Sequence, residues 1–209
     1  MTTTNKFLKS VKTHRESKKE EKFAGFLEEY LQLLEADPAI AVLAHKRLYK
    51  QILGEGLTVL DETDSRCNKL FNGESVKVYD YFSSQFFGME RPLEKVMRFL
   101  HSASMKGEES RQVLLLLGPV GAGKSALIEH IKGALESCDP IYILDGCPVN
   151  EEPLHLVPRS LRDEFEEMYK IKIEGDLCPV CRHRLINEFN GDYTKFPITQ
   201  TSFSVRGRK

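Results

Sequence analysis

The chain has 209 residues, 30 of them Lys or Arg and 31 Asp or Glu, for a net charge of −1. That balance offers no global attraction for nucleic acid, and 41% apolar content is enough for the core of an ordinary globular domain. No apolar run approaches the ~18 residues of a membrane span, and the charged opening MTTTNKFLKSVKTHRESKKEEK holds no apolar stretch of signal-peptide length. Neither a membrane nor a nucleic acid is therefore expected as a partner.

Residues 17–35 carry Phe23, Phe26, Leu27, Tyr30, Leu31 and Leu34 at helical spacing and predict an amphipathic helix. Asp37-Pro38 ends it, with Asp37 as cap and Pro38 at the first position of a second helix that ends near Gly54. From Gly54 to Val78 the pattern is weak, and Asn72-Gly73 marks a turn. Tyr81, Phe82, Phe86 and Phe87 form an aromatic cluster ahead of a helix that opens at Pro92 and turns Leu93, Val96, Met97 and Leu100 inward. KGEESRQ is a polar linker. Val113 and the four leucines after Gln112 read as a short strand buried on both faces. A second buried strand covers residues 141–145. Ser160 and Asp163 suggest a capping box for a helix carrying Leu161, Phe165 and Met168. CPVCRHRLINEF reads as helical after Pro179, and FPITQTSFSV as a last strand.

Between the leucine run and the helix that follows lies Gly118-Pro119-Val120-Gly121-Ala122-Gly123-Lys124-Ser125, which fits G-x-x-x-x-G-K-[ST] at every fixed position. A polyphosphate must be wrapped by backbone N–H groups, so the loop must turn tightly and let oxygen close to the main chain. Glycines permit both. The start of the next helix adds unpaired N–H groups and a partial positive charge. Lys124 brings a point charge to the β- and γ-phosphates, and Ser125 a hydroxyl for Mg²⁺. ATP and Mg²⁺ are the expected ligands. The strand 141–145 ends in Asp145, which mimics a metal-holding carboxylate. Glu151 and Glu152 read as exposed loop charges.

Five cysteines, an odd number without an export signal, point to reduced thiols in the cytoplasm. Cys178-Pro-Val-Cys181 has the spacing of a zinc half-site, with His183 close by. Cys147 and His155 are candidates to complete it. A redox pair and plain buried thiols are the competing readings.

The stretch from Gly118 onward, read with GCPVNEEPLHLVP and IEGDLCPVCRHRL, resembles the PrkA family of bacterial serine protein kinases, whose members open with an AAA-type ATPase module. FLEEYLQLLEADPAIAVLAHKRLY and FFGMERPLEKVMRFLHSA are similar to its N-terminal segment and to the lead into its core. The resemblance implies an α/β fold with a P-loop, AAA-type core that is incomplete in this chain. A helical segment in residues 1–75 would precede the core in residues 76–209. It maps Gly118, Gly121, Gly123, Lys124 and Ser125 onto the family's nucleotide loop. In AAA-type modules the segment ahead of the core often lines the adenine slot, which places Phe86, Phe87, Gly88 and Met89 as candidates. Family members are several-fold longer, so the Walker B carboxylate, sensor residues and kinase-like region are expected beyond residue 209.

Three functional readings follow. The first is the ATP-binding N-terminal part of a PrkA-like protein, acting with a protein substrate and able to form a homo-oligomer. The second is a self-contained nucleotide kinase, with Asp145 on the metal and Arg159, Arg162, Arg182 or Arg184 clamping a second phosphate. The third is a non-catalytic module completed by a partner chain.

Overall fold

The computed structural model describes residues 23–202. The basic opening, the expected helical residues 17–22 and residues 203–209 of the expected last strand and basic tail lie outside the described residues. In chain order the elements are β1 (Ala24–Gly25), α1 (Leu27–Ala36), α2 (Ala44–Gly54), β2 (Leu57–Leu60), α3 (Ser65–Leu70), β3 (Val76–Tyr79), α4 (Asp80–Ser83), α5 (Glu90–Ser104), α6 (Lys124–Glu136), β4 (Ile141–Leu144), α7 (Arg162–Tyr169), α8 (Pro179–Asn187) and β5 (Ile198–Thr201). Helices and strands are mixed throughout, and two compact units interleave along the chain: residues 23–41 with 140–201, and residues 42–139. No helix among the described residues is long and apolar enough to cross a membrane.

The first unit is built on an antiparallel sheet in the order β1-β5-β4. Ala24 faces Thr199, and Ile141 to Leu144 run against Thr201 to Ile198. Helix α1 begins only at Leu27, because the backbone before it is committed to the sheet: the Gln200 N–H donates to Phe23 O at 3.1 Å. The Glu29 carboxylate then accepts the Phe26 N–H at 2.9 Å and caps the first turn. The expected helix is thus extended backbone at residues 23–25. Tyr30 and Leu34, one turn apart, are buried among Leu144, Leu154, Leu156, Phe165, Leu185, Phe196 and Ile198. Each such side chain contributes ~1.5–3 kcal/mol by leaving water.

Two local expectations are revised. Asp37 does cap, its carboxylate accepting the Ala39 N–H at 2.9 Å, but the element it starts is a single 3-10 turn, Pro38–Ala41. Ser160 does not cap α7, which follows a 3-10 turn at Arg159–Leu161 without a side-chain cap. The inward pair of α7 is Phe165 stacked on Tyr169 at 4.5 Å, which leaves Leu161 and Met168 exposed.

In the second unit α5 turns Leu93, Val96, Met97 and Leu100 inward, as the spacing predicts, onto Ile52 of α2, Phe82, Phe86 and Leu127 of α6. β2 and β3 form an antiparallel pair with Leu57 facing Tyr79 and Leu60 facing Val76. Asn72 and Gly73 make the expected turn with φ of 54° and 78°. The largest departure is at residues 113–117. They are not a strand, and Val113, Leu115 and Leu117 are 91%, 71% and 84% exposed. A strand hidden on both faces needs neighbours at both edges and layers above and below. None of the described strands pairs with this run.

Candidate functional site

The glycine-rich motif at residues 118–125 lies in the second unit and forms a turn into α6. Gly121 and Gly123 sit at φ of +83° and +77°. A Cβ on Gly121 would meet nothing within 4 Å, so the backbone conformation, not crowding, demands glycine there. Gly123 is the N-cap of α6, and its carbonyl accepts the first helical bond from the Leu127 N–H at 2.9 Å. The N–H groups of the first turn therefore face out of the helix toward the loop. The Lys124 ammonium curls back over that loop and donates to Gly118 O at 2.7 Å and Pro119 O at 2.6 Å. Ser125 is exposed. An open hollow of about 390 Å³ is lined by Leu114, Leu116, Lys124, Ser125, Ile128 and Glu129.

Helix α6 is held in place from the side. Its Leu127 and Ala134 are buried. Tyr81 donates its hydroxyl to His130 O at 2.7 Å, and the His130 ring meets Tyr81 O at 2.9 Å. The two rings pack against each other in a tilted pair, centroids 4.4 Å apart and planes at 34°. Phe86 and Met89 border the loop: a Cβ on Gly123 would lie 4.0 Å and 3.8 Å from them. Phe87 is 81% exposed, and Gly88 turns at φ +72° with open space beside it.

The residues singled out for metal binding lie in the first unit. Cys147, Cys178 and Cys181 converge with Glu151, the four candidate ligand atoms all within 4.8 Å of one another. Glu151 is only 7% exposed, so the expected solvated loop charge is a buried one. Its place depends on Asn150, whose φ of +52° folds the chain back so that the Glu151 N–H donates to Cys147 Sγ at 3.4 Å. Cys178 caps α8 and accepts the Cys181 N–H at 3.3 Å. Burial opposes ionisation of Glu151, but hydrogen bonds from His155 and Cys178 outweigh it and hold the carboxyl below its ordinary range. The Cys181 thiol is pushed up by burial first, then by its hydrogen bonds with Cys147, Cys178 and Glu151. His183 is not part of the group. It sits two positions after Cys181 on α8, about 200° round the helix, and is exposed. His155 supports Glu151 instead, with Nδ1 3.0 Å from Oε1.

Asp145 is exposed and follows β4, the edge strand of the antiparallel sheet. Its N–H donates to Pro197 O and its carbonyl accepts from Arg184, which makes it a turn residue beside Gly146. The arginines considered as a phosphate clamp are engaged internally. Arg159 and Arg162 pair with Asp176, Arg182 donates to Leu177 O at 3.1 Å, and Arg184 binds Asp145 O and Glu188.

Comparison with known proteins adds the family. The sequence profile of the PrkA AAA domain matches residues 25–209. The chain is 34% identical over 203 residues to the ATP-dependent protease PrkA of Bacillus subtilis (strain 168), which covers 94% of this chain and 30% of that protein. It is 33% identical over 197 residues to the serine/threonine kinase YeaG of Escherichia coli (strain K12), which covers 91% of this chain and 30% of that protein. A stretch of 63 residues is 38% identical to the phosphonates import ATP-binding protein PhnC of Hydrogenovibrio crunogenus, over 30% of this chain and 23% of that protein. The chain thus spans about 30% of the length of its first two relatives. No solved structure gives a match.

Proposed function

This chain belongs to the PrkA AAA domain family, and from that premise we infer that it is the ATP-binding N-terminal part of a longer PrkA-like serine protein kinase or AAA ATPase. The observation that carries the reading is Lys124 folded onto the two carbonyls of its own loop, Gly118 O and Pro119 O. Phosphate oxygens of ATP take the place of those carbonyls, with a stronger, charge-assisted bond as the gain. The outward N–H groups of the loop and of the start of α6 wrap the β-phosphate. Ser125 is the hydroxyl that Mg²⁺ would use, the remaining positions going to phosphate and water, as this ion prefers. Phe87 and Gly88, next to loop neighbours Phe86 and Met89, supply the apolar side of the adenine slot.

The relatives carry two activity names, a protease and a kinase, and both are ATP-linked or phosphate-transferring chemistry acting on proteins. A protein is therefore the proposed downstream partner. The exposed apolar run at residues 113–117 suits a surface completed by further strands, from the same polypeptide or another subunit. The reading with Asp145 on the metal and an arginine clamp is the less favoured one: Arg159 and Arg162 pair with Asp176 and Arg184 with Glu188, while Asp145 uses its backbone in a turn.

The test is equilibrium binding of ATP–Mg²⁺ to the 209-residue chain and its Lys124→Ala variant. A loss of about tenfold or more is expected, in line with ~1.5–3 kcal/mol for a hydrogen bond to a charged group. Equal affinity of the two proteins would refute the role of Lys124. ATP turnover by this chain alone should match the variant. Turnover on the order of 1 s⁻¹ would show a complete catalytic site and overturn the partial-site reading.

A further inference from the structure

We infer that Cys147, Cys178, Cys181 and Glu151 hold a structural Zn²⁺ ion, with His155 orienting the carboxylate. In a tetrahedral site with Zn–S bonds of ~2.3 Å, neighbouring sulfurs stand ~3.8 Å apart. Cys147 Sγ lies 3.9 Å from Cys178 Sγ and 3.9 Å from Glu151 Oε2, and all four ligand atoms fit within 4.8 Å. A disulfide needs the sulfurs at ~2.05 Å. The spacing is that of four corners round a cation, not of a bonded pair.

The surroundings are built for anionic ligands. Each of two sulfurs receives a backbone N–H, from Glu151 onto Cys147 and from Cys181 onto Cys178. Cys178 and Cys181 also stand at the N-terminal end of α8, where the helix favours negative charge. Glu151 divides its two oxygens. Oε1 takes the Cys178 N–H at 2.7 Å and the His155 ring at 3.0 Å, and Oε2 faces Cys147. The far nitrogen of His155 is fixed by Glu174 O at 2.9 Å. This is the arrangement by which an outer partner sets the direction of a metal ligand.

Ligand chemistry selects the metal. Three thiolates suit Zn²⁺ and disfavour Mg²⁺ or Ca²⁺, which take oxygen. Four protein ligands leave no position for substrate or water, so the ion is structural. It would tie the turn after β4 to the start of α8. Both turns open with Cys-Pro-Val, at Cys147 and at Cys178.

The full chain, produced with zinc in the medium and purified without chelator, is to be assayed for metal by mass spectrometry. About one zinc per chain is expected. Cys178→Ser and Cys181→Ser should fall below about 0.2, whereas Cys67→Ser and Cys138→Ser keep the wild-type content. Wild-type content under about 0.2, or full zinc in Cys181→Ser, would overturn the site. If the cysteine variants do not fold, Co²⁺ loaded into the wild-type protein decides: tetrahedral d–d bands with a thiolate charge-transfer band support the site, and their absence removes it. Chelator competition separates the roles of the other two residues. His155→Ala should lose ~10–100-fold in affinity, and Glu151→Gln more. A Glu151→Gln variant with wild-type affinity would exclude the carboxylate as fourth ligand.

Discussion

Tyr81 and His130 bind each other twice across 49 positions of sequence: the tyrosine hydroxyl reaches the histidine carbonyl, and the imidazole meets the tyrosine carbonyl. This double link fixes the helix that carries Lys124 to the aromatic segment ahead of the loop. Tyr81→Phe removes one bond and leaves the ring in place. The expected cost is ~0.5–1.5 kcal/mol in denaturant unfolding. A variant as stable as wild type would mean that the ring contact and the remaining imidazole–carbonyl bond suffice to hold the helix.

Gly123 tests the loop. Its φ of +77° is expensive for any residue with a Cβ. Gly123→Val should cost ~1–2 kcal/mol of stability and abolish ATP binding. Gly54→Ala is the contrast. Gly54 lies in α2 without positive φ and with nothing near the site of a Cβ. That change should be neutral or stabilise by ~0.4–1 kcal/mol. Retained binding by Gly123→Val would show that the left-handed turn is dispensable.

Acid stability follows from Asp192. The Thr194 side chain, Lys195 and the Thr194 N–H all bind its carboxylate and hold its pKa at about 2. A carboxyl whose folded pKa lies below its unfolded value stabilises fully above the unfolded value, ~3.9. It loses that contribution as pH falls toward about 2. The stability gap between wild type and D192N should therefore be flat from neutrality down to ~pH 4 and close below it. NMR titration of Asp192 near its ordinary value would contradict this.

Phe196 probes the core of the first unit. It is fully buried, its ring 4.9 Å from Phe189 and 5.0 Å from the Arg184 guanidinium. Phe196→Ala should cost ~3–5 kcal/mol by thermal or denaturant unfolding. A cost under ~1 kcal/mol would indicate that the site collapses around the gap.

The tight glycine turn into α6 was legible because its signal is local: Gly118, Gly121, Gly123, Lys124 and Ser125 lie within eight consecutive residues. So was the inward face of α5, where one period describes four side chains. The strands β2 and β3 were not. Both are only four residues long, and in β2 Leu57, Thr58 and Val59 all face solvent, so no alternation marks that strand. Cysteine spacing pointed to Cys178 and Cys181, and Cys147 was within reach of the same argument. Glu151 was not, because its burial hangs on one left-handed residue, Asn150, and on contacts from 27 positions away. The leucines before Gly118 show the converse error. Their apolar character promises a strand, but pairing is decided by what stands beside them.

The interleaving of the two units has a consequence for synthesis. Ala24 leaves the ribosome early, yet its sheet partner is Thr199. At ~5–20 residues per second, the first strand waits on the order of 10–35 s for that partner to be made. Residues 42–139 are complete well before then. The connectivity thus makes residues 42–139 available for folding before the strand partner of Ala24 has been translated.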